Sequence, residues 1–320
     1  MYKQEKPKKI HQIRKKLWKA SISNFEKYIN KKNNLIDKKY LERRTCPTCK
    51  KNDYRFLLNK NGGTYVECKT CEMIFINPVF KDKFLEDYYR NNHAVRHKIS
   101  LSEMKFFNFT YGRGMKLISK YFKNPGKILD VGCSGGMFLD IARKKKWITY
   151  GLELNSTEAK IAKSKGHQIK KELLSKVNFG LKFDVICFWD VFEHIKDGHE
   201  CLEICKKLLS KKGIIFMQCP SRDSLALKIL QEKCNMLDGI EHVNIYGKKS
   251  LSLLCKKSKF KLLDYETIIS EIGIVNNFLD FNDPYLGDTL NVKNLFNVIN
   301  EKIMHKNKMG YKFQVCMKKL

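Results

Sequence analysis

The sequence predicts an α/β fold, doubly wound around a mostly parallel sheet and preceded by a small cysteine-rich ribbon. Two observations carry this reading. From residue 126 onward, apolar runs at 128–131, 148–154, 183–189, 213–219 and 260–267 alternate with amphipathic helical stretches, the order that places helices on both faces of a parallel sheet. Upstream, two Cys-x2-Cys pairs flank a turn signal. Four segments follow: a basic arm over 1–44, the ribbon over 45–80, a helical linker over 81–125, and the α/β domain over 126–320. Within the last, a helical insertion is expected over 268–310 before a closing strand at 311–317.

At 320 residues, with 43% apolar side chains, the chain is long enough for one large domain and one small one. It opens Met1-Tyr2-Lys3 without an apolar leader and has no run of about 18 apolar residues, so neither export nor a spanning helix is expected. Twelve cysteines in such a chain suit a reducing compartment, and a cytoplasmic location is expected. The net charge of +30 admits a polyanionic partner. Only nine of the 63 basic residues are Arg, however, and guanidinium is the better bidentate phosphate binder. Residues 1–44 carry 15 basic against four acidic side chains, with Ile10, Ile13, Leu17, Phe25 and Tyr28 at helix-like intervals. Such an arm could lie on an anionic membrane surface or pack its stripe on its own protein.

Cys46 and Cys49 are separated from Cys68 and Cys71 by 18 residues, within the range of all-sulfur zinc sites. Each pair can aim two thiolates at one ion, and the Asn61-Gly62-Gly63 turn brings the pairs together. A closed set of four cysteines leaves no coordination position for a substrate, so the expected zinc is structural.

Residues 127–139 read as a buried strand, a glycine-rich turn over Gly132, Cys133, Gly135 and Gly136, and the start of a helix. Glycines there let main chain approach a ligand closely. The spacing is not Gly-x-Gly-x-x-Gly, which disfavours a dinucleotide. Glu153 ends the next strand 21 residues after Gly132, where a carboxylate can accept both hydroxyls of a ribose. Together they indicate a nucleoside-type cofactor. Cys187 and Cys219, like Cys133, fall in or beside core strands, where a thiol serves as a small apolar group.

With Asp190-Val191-Phe192-Glu193-His194-Ile195 after the apolar run at 183–189, this set resembles the class I S-adenosylmethionine-dependent methyltransferases over about residues 127–267. The resemblance implies that Asp130, Gly132 and Gly136 hold the amino-acid end of S-adenosylmethionine, with Cys133 and Gly135 in the same turn. It implies that Glu153 holds the ribose and that Asp190 lies beside the cofactor. Ser134 stands where the commonest family form has Gly. The region from Cys46 to Cys71, followed by Phe75-Ile76-Asn77-Pro78, is similar to bacterial methyltransferases with an N-terminal zinc motif, many of them associated with sugar or surface-glycan biosynthesis. A sugar or glycan precursor, such as a nucleotide-sugar, is therefore the expected acceptor.

Methylating a hydroxyl or an acidic carbon requires removal of a proton. His194, at the carboxyl edge of the sheet, is the first candidate base and His242 the second; either could equally hold a loop. Glu193, His194 and Asp190 also loosely resemble ligands of a divalent cation. Two alternatives stay open: an RNA methyltransferase using the ribbon and basic surface, and a non-catalytic scaffold. The sequence Trp189-Asp190-Val191-Phe192 does not look like the Asn/Asp-Pro-Pro motif of enzymes acting on a flipped base.

Overall fold

The computed structural model describes residues 25–91, 104–269 and 301–320. In chain order its strands are β1 (Ile29–Asn30), β2 (Leu35–Ile36), β3 (Leu41–Glu42), β4 (Tyr54–Lys60), β5 (Gly63–Cys68), β6 (Ile74–Ile76), β7 (Val79–Phe80), β8 (Lys127–Val131), β9 (Ile148–Leu152), β10 (Gln168–Lys170), β11 (Phe183–Trp189), β12 (Leu209–Pro220), β13 (Asn244–Ile245), β14 (Phe260–Ile268) and β15 (Lys312–Lys319). The helices are α1 (Asp82–Asn91), α2 (Met104–Ser119), α3 (Met137–Lys144), α4 (Ser156–Ser164), α5 (Gly198–Leu208), α6 (Leu225–Leu230), α7 (Lys248–Lys257) and α8 (Glu301–Lys306). None of the described helices is long and apolar enough to cross a membrane.

The chain divides into two compact units. One joins the stretch up to Lys81 with Pro220–Ser250 and the described part of Glu266–Phe313; the other joins Asp82–Cys219, Leu251–Tyr265 and Gln314–Leu320. This division cuts across the boundary expected near residue 126, because Pro220–Ser250 returns to the cysteine-rich unit. The reason is a strand pairing too short to leave a periodic signal: Asn244 and Ile245 of β13 pair antiparallel with Phe75 and Ile74 of β6.

In the second unit a seven-stranded sheet runs in the order β10-β9-β8-β11-β12-β15-β14, with β10, β9, β8, β11 and β12 mutually parallel. This is the doubly wound architecture expected. The central strand β11 is buried along Val185–Trp189, as a strand covered on both faces requires. Its core collects Ile128, Leu139, Val185, Cys187, Trp189 and Phe216. At Gly151 of β9 an added Cβ would stand 2.5 Å from Cys133 Sγ, so the glycine makes room for the thiol of the turn. Gly114 likewise lets α2 approach Trp189, whose ring an added Cβ would meet at 2.3 Å.

In the first unit a four-stranded sheet runs β13-β6-β5-β4. The β4–β5 hairpin turns at Asn61 (φ 47°) and Gly62 (φ 85°), both left-handed as the twist-matched two-residue turn demands, and pairs Lys60 with Gly63. A second core gathers Tyr65, Ile74, Ile76, Leu237, Val243 and Ile245. Beyond Tyr28 the expected helical arm gives way to the short strands β1, β2 and β3 and a 3-10 turn at Lys38–Tyr40. Phe25 and Tyr28 instead join Phe80 and Tyr40 in an edge-to-face cluster, because an i, i+3 aromatic spacing serves a turn as well as a helix. The arm up to residue 24 and most of the expected insertion (270–300) lie outside the described residues; Glu301–Lys306 is helical.

Candidate cofactor and metal sites

Strands β9, β8 and β11 are neighbours and parallel, so their carboxyl ends share one edge, where open α/β sheets receive ligands. Each end carries an acid. Asp130 lies in β8, Glu153 follows β9, and Asp190 follows β11. Asp130 is 2% exposed and its Oδ1 has no hydrogen-bond partner among the described residues. Burial, and then the charge of Glu153, push its carboxyl well above the ordinary range. Asp190, at φ 53°, donates its N–H to Gln218 O at 2.9 Å and accepts from Gln218 Nε2 at 3.0 Å. Gln218 in turn accepts from Gln314 Nε2 at 3.0 Å, a relay that fixes the Asp190 carboxylate from behind.

Between β8 and α3 the main chain turns through Gly132 (φ 75°), Ser134 (φ 46°) and Gly136 (φ 78°). The N–H groups of Gly132 and Cys133 both donate to Leu152 O, at 2.8 and 3.0 Å. A Cβ on Gly132 would lie 2.7 Å from Val191 Cγ2, so the bend closes against the loop after β11. Three side chains brace it. Glu153 accepts from Ser134 N at 2.9 Å and Asn155 N at 2.8 Å, Glu158 accepts from Ser134 Oγ at 2.7 Å, and Lys165 donates to Gly135 O at 2.6 Å. The bonds from Ser134 and Asn155 take two of the roughly four acceptor positions of the Glu153 carboxylate, and they aim it at the turn. The Cys133 thiol is buried in the core, where it donates to Ser134 O at 3.7 Å.

The residues present fit S-adenosylmethionine. Its ammonium and sulfonium are cationic, and the strand ends offer three carboxylates, one of them buried with an oxygen that lacks a donor. Sequence reasoning missed the aromatic wall of this site. Tyr111 of α2 stands edge-on to Trp189 at 4.7 Å and to Phe138 at 5.6 Å. Burial, followed by the charges of Asp130 and Asp190, pushes its hydroxyl well up. A lone tyrosine on a helix upstream of the first sheet strand carries no signal of this. Glu158 and Gln218 were missed too, since their roles exist only through tertiary contacts.

His194 closes a 3-10 turn at Phe192–His194, its Nε2 4.0 Å from Oε1 of Glu193, which is fully buried. Asp190 joins no set of three described ligand groups close enough to share an ion, which removes it from the loosely matched cation site. His242 belongs to the other unit. Its Nδ1 is 2.8 Å from Met236 O, its N–H donates to Asp238, and its carbonyl accepts from Tyr65 Oη at 3.1 Å.

In the first unit the four expected cysteines converge. Sγ atoms of Cys46 and Cys71, and of Cys49 and Cys68, are 3.4 Å apart, and all four lie within 4.8 Å of one another. Tetrahedral bonds of about 2.3 Å to zinc put sulfurs close to this spacing. The pairs are built alike: Lys50 and Glu72, at φ 63° and 60°, donate to the carbonyls of Cys46 and Cys68, both at 2.9 Å. Cys71, hydrogen-bonded to Cys46, pulls that thiol down to about 5, while burial pushes Cys49 up to about 11. All twelve cysteines are free thiols.

Behind the glycine turn sits a titratable buttress. His167 bonds Thr149 Oγ1 at 2.9 Å and Asp140 Oδ1 at 3.0 Å, and a Cβ on Gly136 would meet its ring at 2.9 Å. Burial lowers the imidazole; the opposing pull of Asp140 is smaller than the combined lowering. The unfolded chain, with an ordinary imidazole near 6.5, therefore binds a proton first as pH falls. The stability contributed by neutral His167 is complete above that value and is lost below it, with a slope of at most about 1.4 kcal/mol per pH unit. Denaturant unfolding at pH 7.5 and 5.5 should show this loss, and His167→Gln should reduce the difference.

A methyltransferase-domain family model matches residues 106–265, half of the chain. The ubiquinone biosynthesis O-methyltransferase of Pasteurella multocida is 29% identical over 113 residues, covering 30% of this chain and 47% of the relative. The mitochondrial enzyme of that name from Saccharomyces cerevisiae is 30% identical over 109 residues, covering 31% and 35%. The chain thus spans less than half the length of these two curated relatives. A crystal structure of the plantazolicin methyltransferase BpumL, in complex with a triazolic desmethylPZN analog and SAH, aligns with a TM-score of 0.51 at 17% identity, covering 74% of this chain and 94% of that one; the likeness is one of fold. With the glycine turn, the three strand-end acids and the parallel sheet all inside or bordering the matched region, the chain belongs to the methyltransferase-domain family and has the fold of class I S-adenosylmethionine-dependent methyltransferases.

Proposed function

We propose that this chain transfers a methyl group from S-adenosylmethionine to a small-molecule acceptor. The observation that carries the reading is buried Asp130, with its unpartnered oxygen, between Glu153 and Asp190 at the edge of a left-handed glycine turn. When bound, the cofactor supplies a methyl already activated by its sulfonium. In this reading Asp130 and the turn from Gly132 to Gly136 hold the ammonium end, Glu153 takes the ribose hydroxyls, and Asp190, steadied by Gln218, sets the electrostatics beside the methyl. Tyr111 and Trp189 exclude water from that corner. Alignment of the acceptor at near-attack distance then does most of the catalytic work.

The names of the relatives favour oxygen as the accepting atom. His194 Nε2 is the candidate to remove the proton, because the 3-10 turn holds it four residues after Asp190. The four-cysteine resemblance supports a sugar or glycan precursor as acceptor, and the ubiquinone names support a quinol precursor. Zinc in the Cys46, Cys49, Cys68 and Cys71 cluster would be structural, since four thiolates close its coordination.

Incubation with methyl-labelled S-adenosylmethionine and separate pools of nucleotide-sugars, a hydroquinone and bulk RNA tests the proposal. Label is expected in one of the small-molecule pools. Label confined to RNA would overturn the acceptor class, and cofactor binding without transfer to any pool would favour a scaffold.

A further inference from the structure

We infer that the cysteine-rich unit carries a binding site for a small oxyanion, a carboxylate or a phosphate, in the cleft beside the second cysteine pair. The cleft, about 470 Å³, is lined by Arg55, Glu67, Cys68, Lys69, Glu72 and Arg222. Its floor is Glu67, 5% exposed. One carboxylate oxygen of Glu67 accepts from Arg55 Nε at 2.9 Å and Nη2 at 2.6 Å; the other accepts from Arg222 Nη2. Glu67 is therefore a fixed anion that locks two guanidinium groups in place.

What remains around the cleft is donor-rich. Arg222 Nε is buried and has no hydrogen-bond partner among the described residues. Its Nη1 has only distant carboxylates, Asp223 at 3.6 Å and Glu72 at 3.8 Å. Those acids are engaged elsewhere: Glu72 accepts from Lys249 Nζ at 2.7 Å, and Asp223 accepts from Lys248 N at 2.7 Å. The lining thus sets three cations, of which Lys69 pairs with Asp53 at 3.0 Å, against two carboxylates, both already bonded. A buried guanidinium N–H left without an acceptor is costly, and an oxygen of a bound oxyanion removes that cost with a charge-assisted bond. The backbone holds the group ready: Arg222 N donates to Tyr246 O at 2.9 Å, so the arginine is positioned from β13's neighbourhood and not by the ligand. A cation is excluded by the same count, since the lining carboxylates are already bonded.

This site is independent of methyl transfer, so its failure would leave the proposed reaction untouched. The test is calorimetric titration of sodium phosphate, and separately sodium acetate, into the full-length zinc-loaded protein at low ionic strength. Saturable one-to-one binding is expected for at least one of them. Arg222→Lys keeps a charge for Glu67 but loses the Nε donor, and should weaken that binding about tenfold without changing zinc content. Binding of phosphate alone would assign a phosphoryl ligand, and of acetate alone a carboxylate. Saturation by neither anion, or binding unchanged in Arg222→Lys, would overturn the inference and show that Arg222 Nε is satisfied by Glu67 in solution.

Discussion

Cys46→Ser is expected to abolish stoichiometric zinc binding and to loosen the unit built on the β4–β5 hairpin. Structural zinc in small sites contributes about 10–16 kcal/mol of apparent binding energy that is also folding energy, more than any single core contact supplies. The serine keeps the volume but removes one of the four sulfurs, the thiol that its bond to Cys71 pulls down to about 5. It also breaks the 3.4 Å contact with Cys71. Metal analysis of purified protein should fall from one zinc per chain to none. Chelator treatment of the unaltered protein should reproduce the loss of thermal stability. Cys201→Ser provides the control, because Cys201 is buried on α5 outside the cluster and should leave zinc content unchanged. Retained one-to-one zinc in Cys46→Ser would remove the metal from the account.

The second large effect is expected at Asp130. Asp130→Asn removes the anion that would meet a cationic ligand group. Bonds to charged partners contribute about 1.5–3 kcal/mol, so affinity for S-adenosylmethionine should fall about ten- to a hundredfold. Two further signs identify the cause. Because burial holds the Asp130 carboxyl well above the ordinary range, a cation must drive a proton off it. Affinity should therefore rise with pH through that raised value in the unaltered protein and show a weaker dependence in Asp130→Asn. Without ligand, the raised value means that the folded chain binds this proton more tightly than the unfolded one. Ionised Asp130 thus costs stability, a cost that disappears as pH falls, and the neutral variant should be no less stable at neutral pH. Affinity lost together with stability would instead mark Asp130 as a packing residue.

Much of this site was legible before any coordinates. The strand at residues 183–189 showed through its apolar run from Val185 to Trp189, and the turn at Gly132–Gly136 showed because its backbone conformations are ones that glycine adopts freely. The four cysteines showed through spacing alone. Periodicity failed where structure depends on a few residues pairing at a distance. Strand β10 is three residues long with only Ile169 buried, and β13 is two residues long. Nothing local told that residues 220–250 would return to the cysteine-rich unit. Tyr111, Glu158 and Gln218 were invisible for the same reason. Each is an ordinary residue for its element and acquires a role from a partner 24 or more positions away, as Glu158 does through Ser134 and Gln218 through Asp190.

The most direct test of the central claim is calorimetric titration of S-adenosylhomocysteine into the unaltered protein, Glu153→Gln and Glu153→Ala. One-to-one binding is predicted for the unaltered chain. The carboxylate braces Ser134, and the proposed reading puts the ribose hydroxyls on it, so weakening of about tenfold or more is expected in both variants, with zinc content intact. Absence of binding to the unaltered protein at millimolar ligand, or full affinity in Glu153→Ala, would contradict the account.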